Sequence, residues 1–159
     1  MRKLLVAVAA IIVLGTGCKK SGECSEDNTV APQSEGDAIA AYLQTNGITA
    51  TKFKTNLYYQ IVTPGSGGSP NPCSTVQVAY RGTLTNGNKF DESTNLTFSL
   101  QRLIKGWIQG IPLIQKGGAI RLFVPPSLGY GSADVKDGGV VIIPGNSILI
   151  FDITLINFQ

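Results

Sequence analysis

The sequence has no histidine among its 159 residues. That absence removes the usual general base at neutral pH, the Ser-His-Asp and Cys-His nucleophile systems, and the commonest zinc ligand. Charge is sparse as well: Asp, Glu, Lys and Arg make up only 14% of the chain, with a formal net charge of +3. Two of those positive charges, Arg2 and Lys3, sit in the leader described below, so the remainder carries 11 Lys and Arg against 10 Asp and Glu, or +1. Lys52, Lys54, Arg81, Lys89, Arg102, Lys105, Lys116 and Arg121 are scattered rather than clustered. They read as solvated strand and loop faces, and nucleic acid is not expected as a partner. The glycine-rich stretch Pro64 to Pro72, PGSGGSPNP, lacks the Lys-Ser/Thr pair and helix of a phosphate loop. Asp134 and Asp137 offer too few oxygens at too wide an interval for calcium. No metal and no cofactor is expected, and a chemistry without proton transfer gains weight.

What is present is 43% hydrophobic content in a chain long enough for one domain and a leader. Arg2 and Lys3 precede the apolar run LLVAVAAIIVL, Leu4 to Leu14, followed by Gly15, Thr16 and Gly17. The run is well short of the roughly 20 residues a spanning helix needs, so residues 1–17 read as a signal peptide. With Cys18 directly after those small residues, the segment resembles a bacterial lipoprotein signal. That resemblance implies lipid on Cys18 and a membrane anchor without a spanning helix, since each buried CH₂ contributes about 0.8 kcal/mol. Lys19, in place of an aspartate, points to the outer membrane of the bacterial envelope, with the periplasmic and the surface face both compatible. Residues 18–35 are polar and read as a flexible tether. Two cysteines remain, Cys24 and Cys73. In an exported chain they either pair, which stabilises by about 4 kcal/mol in the chain-entropy model, or stay as separate thiols.

Asp37 to Thr45 has the pattern of a short amphipathic helix ended by Asn46-Gly47, inside an N-terminal extension of residues 36–54. Strand alternation follows at Leu57–Thr63, at Val76, Val78 and Tyr80, at Leu96, Phe98 and Leu100, and at Ile120, Leu122 and Val124. Ile148 to Phe158 is apolar on both faces, as suits the middle of a sheet. Asn86-Gly87 marks a hairpin turn, with Phe90-Asp91 on a short return. Leu103, Ile104, Trp107, Ile108 and Ile111 fall at helical spacing, which places the single tryptophan on the apolar face of a short helix. Ser127 to Val141 reads as a long loop. The fold class is therefore α+β, an antiparallel sheet of about five strands wrapped around one short helix. Tyr80, Phe90, Asp91 and Trp107 are expected to converge on one pocket.

Four blocks in order, VQVAYRGTLTNGNKFDES, LIKGWIQGIPLIQKGG, RLFVPPSLGYG and IIPGNSILIFDITLI, resemble the FK506-binding-protein (FKBP) type of peptidyl-prolyl cis-trans isomerase. The likeness runs from about Leu57 to Phe158, and residues 55–159 are assigned to that domain. It implies rotation about X-Pro bonds of exported, proline-containing polypeptides. That reaction needs no nucleophile, because twisting the amide only has to overcome a resonance barrier near 18–20 kcal/mol. The resemblance implies that Tyr80, Phe90, Phe98, Leu103, Ile104, Trp107 and Phe151 line the substrate pocket, with Trp107 as its floor. It further implies that the Tyr130 hydroxyl donates to a substrate carbonyl, that the Ile143 backbone N–H contacts another, and that Asp91 stands beside the twisting amide. Macrolide inhibitors enter as candidate ligands on the same ground. The pattern departs from the family in a longer segment between Tyr130 and Ile143, in Gly145 where a second proline is common, and in Leu96 and Leu128 where aromatics are common. The alternative from a different class is a non-catalytic module of the same fold that holds proline-containing segments, as a chaperone does.

Overall fold

A strand that is apolar on both faces needs cover on both sides, and the computed structural model, which describes residues 25–159, supplies it. In chain order the elements are α1 (Gln33–Thr45), β1 (Thr51–Lys52), β2 (Tyr58–Thr63), β3 (Thr75–Leu84) and β4 (Lys89–Ser99). Then come α2 (Lys105–Gly110), β5 (Ala119–Val124), β6 (Val135–Asp137), β7 (Val140–Ile143) and β8 (Leu149–Phe158). Six strands form one antiparallel sheet in the order β1-β2-β5-β8-β3-β4, and β6 and β7 make a separate two-stranded ribbon. The five expected strands are all in the main sheet, and the two-residue β1 extends its edge.

β8 lies between β5 and β3. Leu149, Phe151, Ile153 and Leu155 face the main core with Leu122, Val124, Val76 and Val78, and Trp107 and Ile111 cover them. Ile150 faces the other way, into a second cluster formed with Phe123, Tyr58 and the α1 residues Ile39 and Leu43. The sheet thus has α2 on one face and α1 on the other. α2 can lie close because Gly106 and Gly110 leave room: a Cβ on Gly106 would sit 2.6 Å from Val124 Cγ1, and one on Gly110 2.6 Å from Leu122 Cδ1.

Four local readings are corrected. The return strand and the Leu96 strand are one continuous β4, since the register steps from Val78↔Leu96 to Tyr80↔Ser93 and the extra β4 residue is absorbed as a bulge. Leu103 and Ile104 precede α2 rather than lying on it; Ile104 is extended at its N-cap, and a 3-10 turn over Leu100–Arg102 precedes them. The long loop contains the β6–β7 ribbon, which turns at Gly138 and Gly139, both at positive φ. The first helix begins at Gln33, right after Pro32.

The stretch read as a tether is engaged from Asp27 onward. Ala31 is buried and its N–H bonds the Thr55 carbonyl at 3.1 Å. Gln109 of α2, itself buried, donates to the Asp27 carboxylate at 3.1 Å and the Thr29 carbonyl at 3.0 Å, and accepts from the Thr55 hydroxyl at 2.6 Å. A polar side chain buried at that point needs such partners, and the N-terminal segment supplies them. Cys73 is disulfide-bonded. The signal segment, Cys18 and Cys24 lie outside the described residues.

Candidate functional site

Between the concave face of the sheet and the start of α2 lies a cavity of about 450 Å³. Its wall is formed by Tyr80 of β3, Asp91, Leu96 and Phe98 of β4, Leu103 and Ile104 before α2, Trp107 of α2, Tyr130, and Phe151 of β8. Trp107 is 4% exposed and is ringed by aromatics edge-on: Tyr80 at 5.1 Å and 80°, Phe151 at 5.2 Å and 88°, Phe98 at 6.4 Å and 84°. Such T-shaped pairs are each worth about 0.5–1.5 kcal/mol beyond the area they bury, so the box holds its shape without a ligand. The Trp107 Nε1 is buried and, among the described residues, has no hydrogen-bond partner.

The polar groups stand at the rim. The Tyr80 hydroxyl donates to Asp91 Oδ2 at 2.6 Å. Burial first, and then the hydrogen bond and charge of Asp91, hold the Tyr80 phenol well above its ordinary value. Tyr130 is raised by burial and by the Asp91 charge, although 46% of it remains exposed. Both phenols therefore stay protonated at neutral pH, and Tyr130 stands at the mouth as a neutral donor.

Of the residues expected at the site, Tyr80, Asp91, Phe98, Leu103, Ile104, Trp107, Tyr130 and Phe151 meet in the one cavity wall. Phe90 and Ile143 do not belong to that wall. Phe90 stands behind Phe151, ring to ring at 5.5 Å and 86°, over Gly82, whose absent Cβ would fall 2.5 Å from Phe90 Cε2. It supports a wall residue instead of being one. Ile143 is 3% exposed at the end of β7, paired with Val135 and packed in the main core. Leu96 is a wall residue that the sequence reading did not place at the site; its i, i+2 alternation with Phe98 on β4 was the available signal. Gly145 is explained by space and bonding: a Cβ there would lie 2.1 Å from the Ser132 carbonyl oxygen, and its N–H donates to Asp134 Oδ1 at 2.9 Å. Proline at 145 would lose both.

An apolar box of aromatic edges with a phenol and a carboxylate at its mouth is built to hold a small ring and orient adjoining carbonyls by hydrogen bonds. Residues 67–156 match the family model described as FKBP-type peptidyl-prolyl cis-trans isomerase. The FKBP-type peptidyl-prolyl cis-trans isomerase FkpA of Escherichia coli K12 is 45% identical over 109 residues, covering 66% of this chain and 38% of that protein. A probable FKBP-type isomerase of Haemophilus influenzae is 33% identical over 161 residues, covering 99% of this chain and 63% of the relative. This chain thus spans less than two thirds of the length of either relative. Among solved structures, FkpA from Escherichia coli aligns with a TM-score of 0.64 at 37% identity, over 80% of this chain and 64% of that one. A peptidyl-prolyl isomerase from Pseudomonas syringae aligns with a TM-score of 0.68 at 27% identity, over 82% and 98%. Fold and sequence together place this chain in the FKBP-type peptidyl-prolyl cis-trans isomerase family.

Proposed function

We propose that this chain accelerates rotation about X-Pro bonds in polypeptides of the bacterial envelope, by binding the prolyl segment in the Trp107 box. The observation that carries the reading is the enclosure of Trp107 by three edge-on rings within a cavity of about 450 Å³. A planar amide has a charge-separated carbonyl that prefers water, while the twisted amide has lost that resonance. An apolar wall consequently favours the twisted form over the planar one. In this reading Trp107 is the floor beneath the pyrrolidine ring, and Tyr80, Phe98, Leu103, Ile104, Leu96 and Phe151 are the walls. Tyr130 donates a hydrogen bond from its hydroxyl to a substrate carbonyl, the Ile143 backbone N–H contacts another, and Asp91 faces the rotating amide while fixing Tyr80. No proton moves and no covalent bond forms.

Turnover of a short Leu-Pro or Phe-Pro peptide by the purified chain is the direct test. Acceleration that disappears in Trp107→Ala, with the fold retained, supports the reading; a folded chain that gives none sinks it. A second reading, a non-catalytic holder of proline-containing segments, draws on the apolar β6–β7 ribbon, where Val140 is 67% exposed. It predicts peptide binding without acceleration. Macrolide inhibitors are candidate ligands of the same box, testable by competition with the peptide.

The envelope reading extends to the N-terminus: residues 1–17 as the signal, Cys18 as the lipidated residue, and the outer membrane as the destination. Incorporation of labelled palmitate into the chain, absent in Cys18→Ser, tests it. Cys24 is the proposed partner of Cys73, which is disulfide-bonded. In Cys24→Ser, a Cys73 thiol that becomes reactive toward alkylation is the expected result.

A further inference from the structure

Glu35 lies in the first turn of α1, where a negative charge is favoured by the helix dipole. Its carboxylate does not cap its own helix. Both oxygens instead reach across to one residue: Oε2 accepts the Ser127 N–H at 2.9 Å, and Oε1 accepts the Ser127 hydroxyl. Ser127 belongs to the 3-10 turn Pro126–Leu128. Pro125 and Pro126 have no N–H, so Ser127 offers the first backbone donor of that turn. The same turn holds the chain on either side of Tyr130, since the Pro126 carbonyl accepts Gly129 N–H at 3.0 Å and Gly131 N–H at 2.9 Å. α1 gives the contact a fixed base, because Ile39 and Leu43 are buried against Phe123 and Ile150 of the sheet. The helix lies outside the span 67–156 that the family model matches.

We propose that Glu35 is a positioning residue for Tyr130, so that α1 forms part of the unit that shapes the pocket mouth. The inference rests on the reading of Tyr130 as the hydroxyl that meets the bound peptide. Glu35 anchors Ser127, Ser127 fixes the turn, and the turn's Pro126 carbonyl holds the two glycines that flank Tyr130. Loss of the carboxylate leaves Tyr130 attached but free to swing from the mouth.

The test is a double-mutant cycle of Glu35→Ala with Tyr130→Phe, read as kcat/KM on a short Leu-Pro peptide and as amide hydrogen exchange. Glu35→Ala is expected to lower kcat/KM about threefold to tenfold in the native background, the scale of the net contribution of an ordinary hydrogen bond acting indirectly through the turn, and to cost nothing further in Tyr130→Phe. Exchange at Gly129 and Gly131 is expected to quicken while β8 amides are unchanged. Ser127→Ala, which removes only the hydroxyl, is expected to give the same pattern at smaller size, and it serves where Glu35→Ala lowers the yield of folded protein. Equal losses in both backgrounds overturn the proposal, as do unchanged exchange rates at the two glycines. If the native chain or its Tyr130→Phe variant shows that Tyr130 has no part in turnover, the functional reading fails. Glu35 is then judged by the exchange data alone, where unaltered rates reject it and local quickening keeps it as the anchor of the Tyr130 segment.

Discussion

Tyr80 and Asp91 are joined by a 2.6 Å hydrogen bond that runs diagonally across β3 and β4, whose register pairs Tyr80 with Ser93 and Gly82 with Asp91. The phenol proton of Tyr80 is thereby committed to the carboxylate. Tyr130, which lines the same cavity and is 46% exposed, has no hydrogen bond to Asp91, and under the proposed function it is the phenol that meets a peptide. The two tyrosines have the same chemistry, but only Tyr80 is hydrogen-bonded to Asp91, while Tyr130 feels that carboxylate through its charge alone.

Tyr80→Phe should release Asp91 and weaken turnover by less than Trp107→Ala does. Because the bond lies at the solvent edge, its coupling energy in a Tyr80→Phe and Asp91→Asn cycle should fall below about 1.5 kcal/mol. Denaturant unfolding and peptide kinetics on the four proteins measure both quantities. A coupling of zero would mean that the two side chains act independently.

The pH dependence at the alkaline end follows from the direction of both phenols. Each is raised in the folded chain, mainly by burial and then by Asp91. Their contribution to stability is fully present below the unfolded tyrosine value of about 10, and it fades as pH rises through the folded values. Turnover should be level from neutrality to about pH 9 on this account. An ultraviolet titration should find three late-ionising phenols, Tyr58 being raised as well by its own burial and by the Asp37 charge, reduced to two in Tyr130→Phe. A tyrosine-linked loss of activity below that range would contradict the assignment.

At the acid end two carboxyls are depressed, Glu92 by its exposed contact with Lys89 and Asp27 by partners within the fold, and Asp27 is the one tied to tertiary structure. Burial pushes its carboxyl up, but hydrogen bonds from Thr29 and Gln109 and the charge of Lys105 together pull it below the usual value. A depressed carboxylate contributes stability above its unfolded value of about 3.9, lost as pH falls through the folded one. Asp27→Asn should therefore flatten the acid limb of the unfolding profile, and in the native chain exchange at Thr29 should quicken first as pH drops. If Asp27→Asn and the native chain lose stability in parallel on acidification, another group governs that limb.

The sheet was legible in the sequence because strands of period two leave a clear mark, and the double-faced apolarity of β8 placed it in the middle. Most of the pocket was legible because Trp107 is the single tryptophan and its partners lie in the recognised blocks. Three features left no such mark. Leu103 and Ile104 share helical spacing with Trp107, yet the chain enters α2 extended, so spacing alone misplaced them, whereas the family resemblance put them at the pocket whose cavity they line. Phe90 was placed in the wall by the family resemblance; Gly82 makes the space in which its ring packs edge-on against Phe151. Ser127 and Glu35 are 92 residues apart, and a polar pair at that distance has no periodicity to betray it.

The last prediction concerns how α2 is held, since the tryptophan can only serve as a floor if its helix lies flat on the sheet. Gly106 and Gly110 are one helical turn apart and face Val124 and Leu122, with no room for a Cβ at either contact. Gly106→Ala adds a methyl group where Val124 Cγ1 would stand 2.6 Å away, so either Val124 changes rotamer or α2 lifts. Overpacking of that kind costs about 1–3 kcal/mol, even though alanine is the better helix former. Trp107→Ala instead opens a cavity and should cost about 3–5 kcal/mol. The two variants separate support from contact. Gly106→Ala keeps every wall residue and should shift the Trp107 fluorescence and raise KM more than it lowers kcat, whereas Trp107→Ala should lose peptide binding and turnover together. Lys116→Ala, at an exposed turn, should change neither stability nor kinetics by a measurable amount. Wild-type fluorescence and KM in Gly106→Ala would show that Val124 yields and that the flat seating of α2 does not depend on glycine.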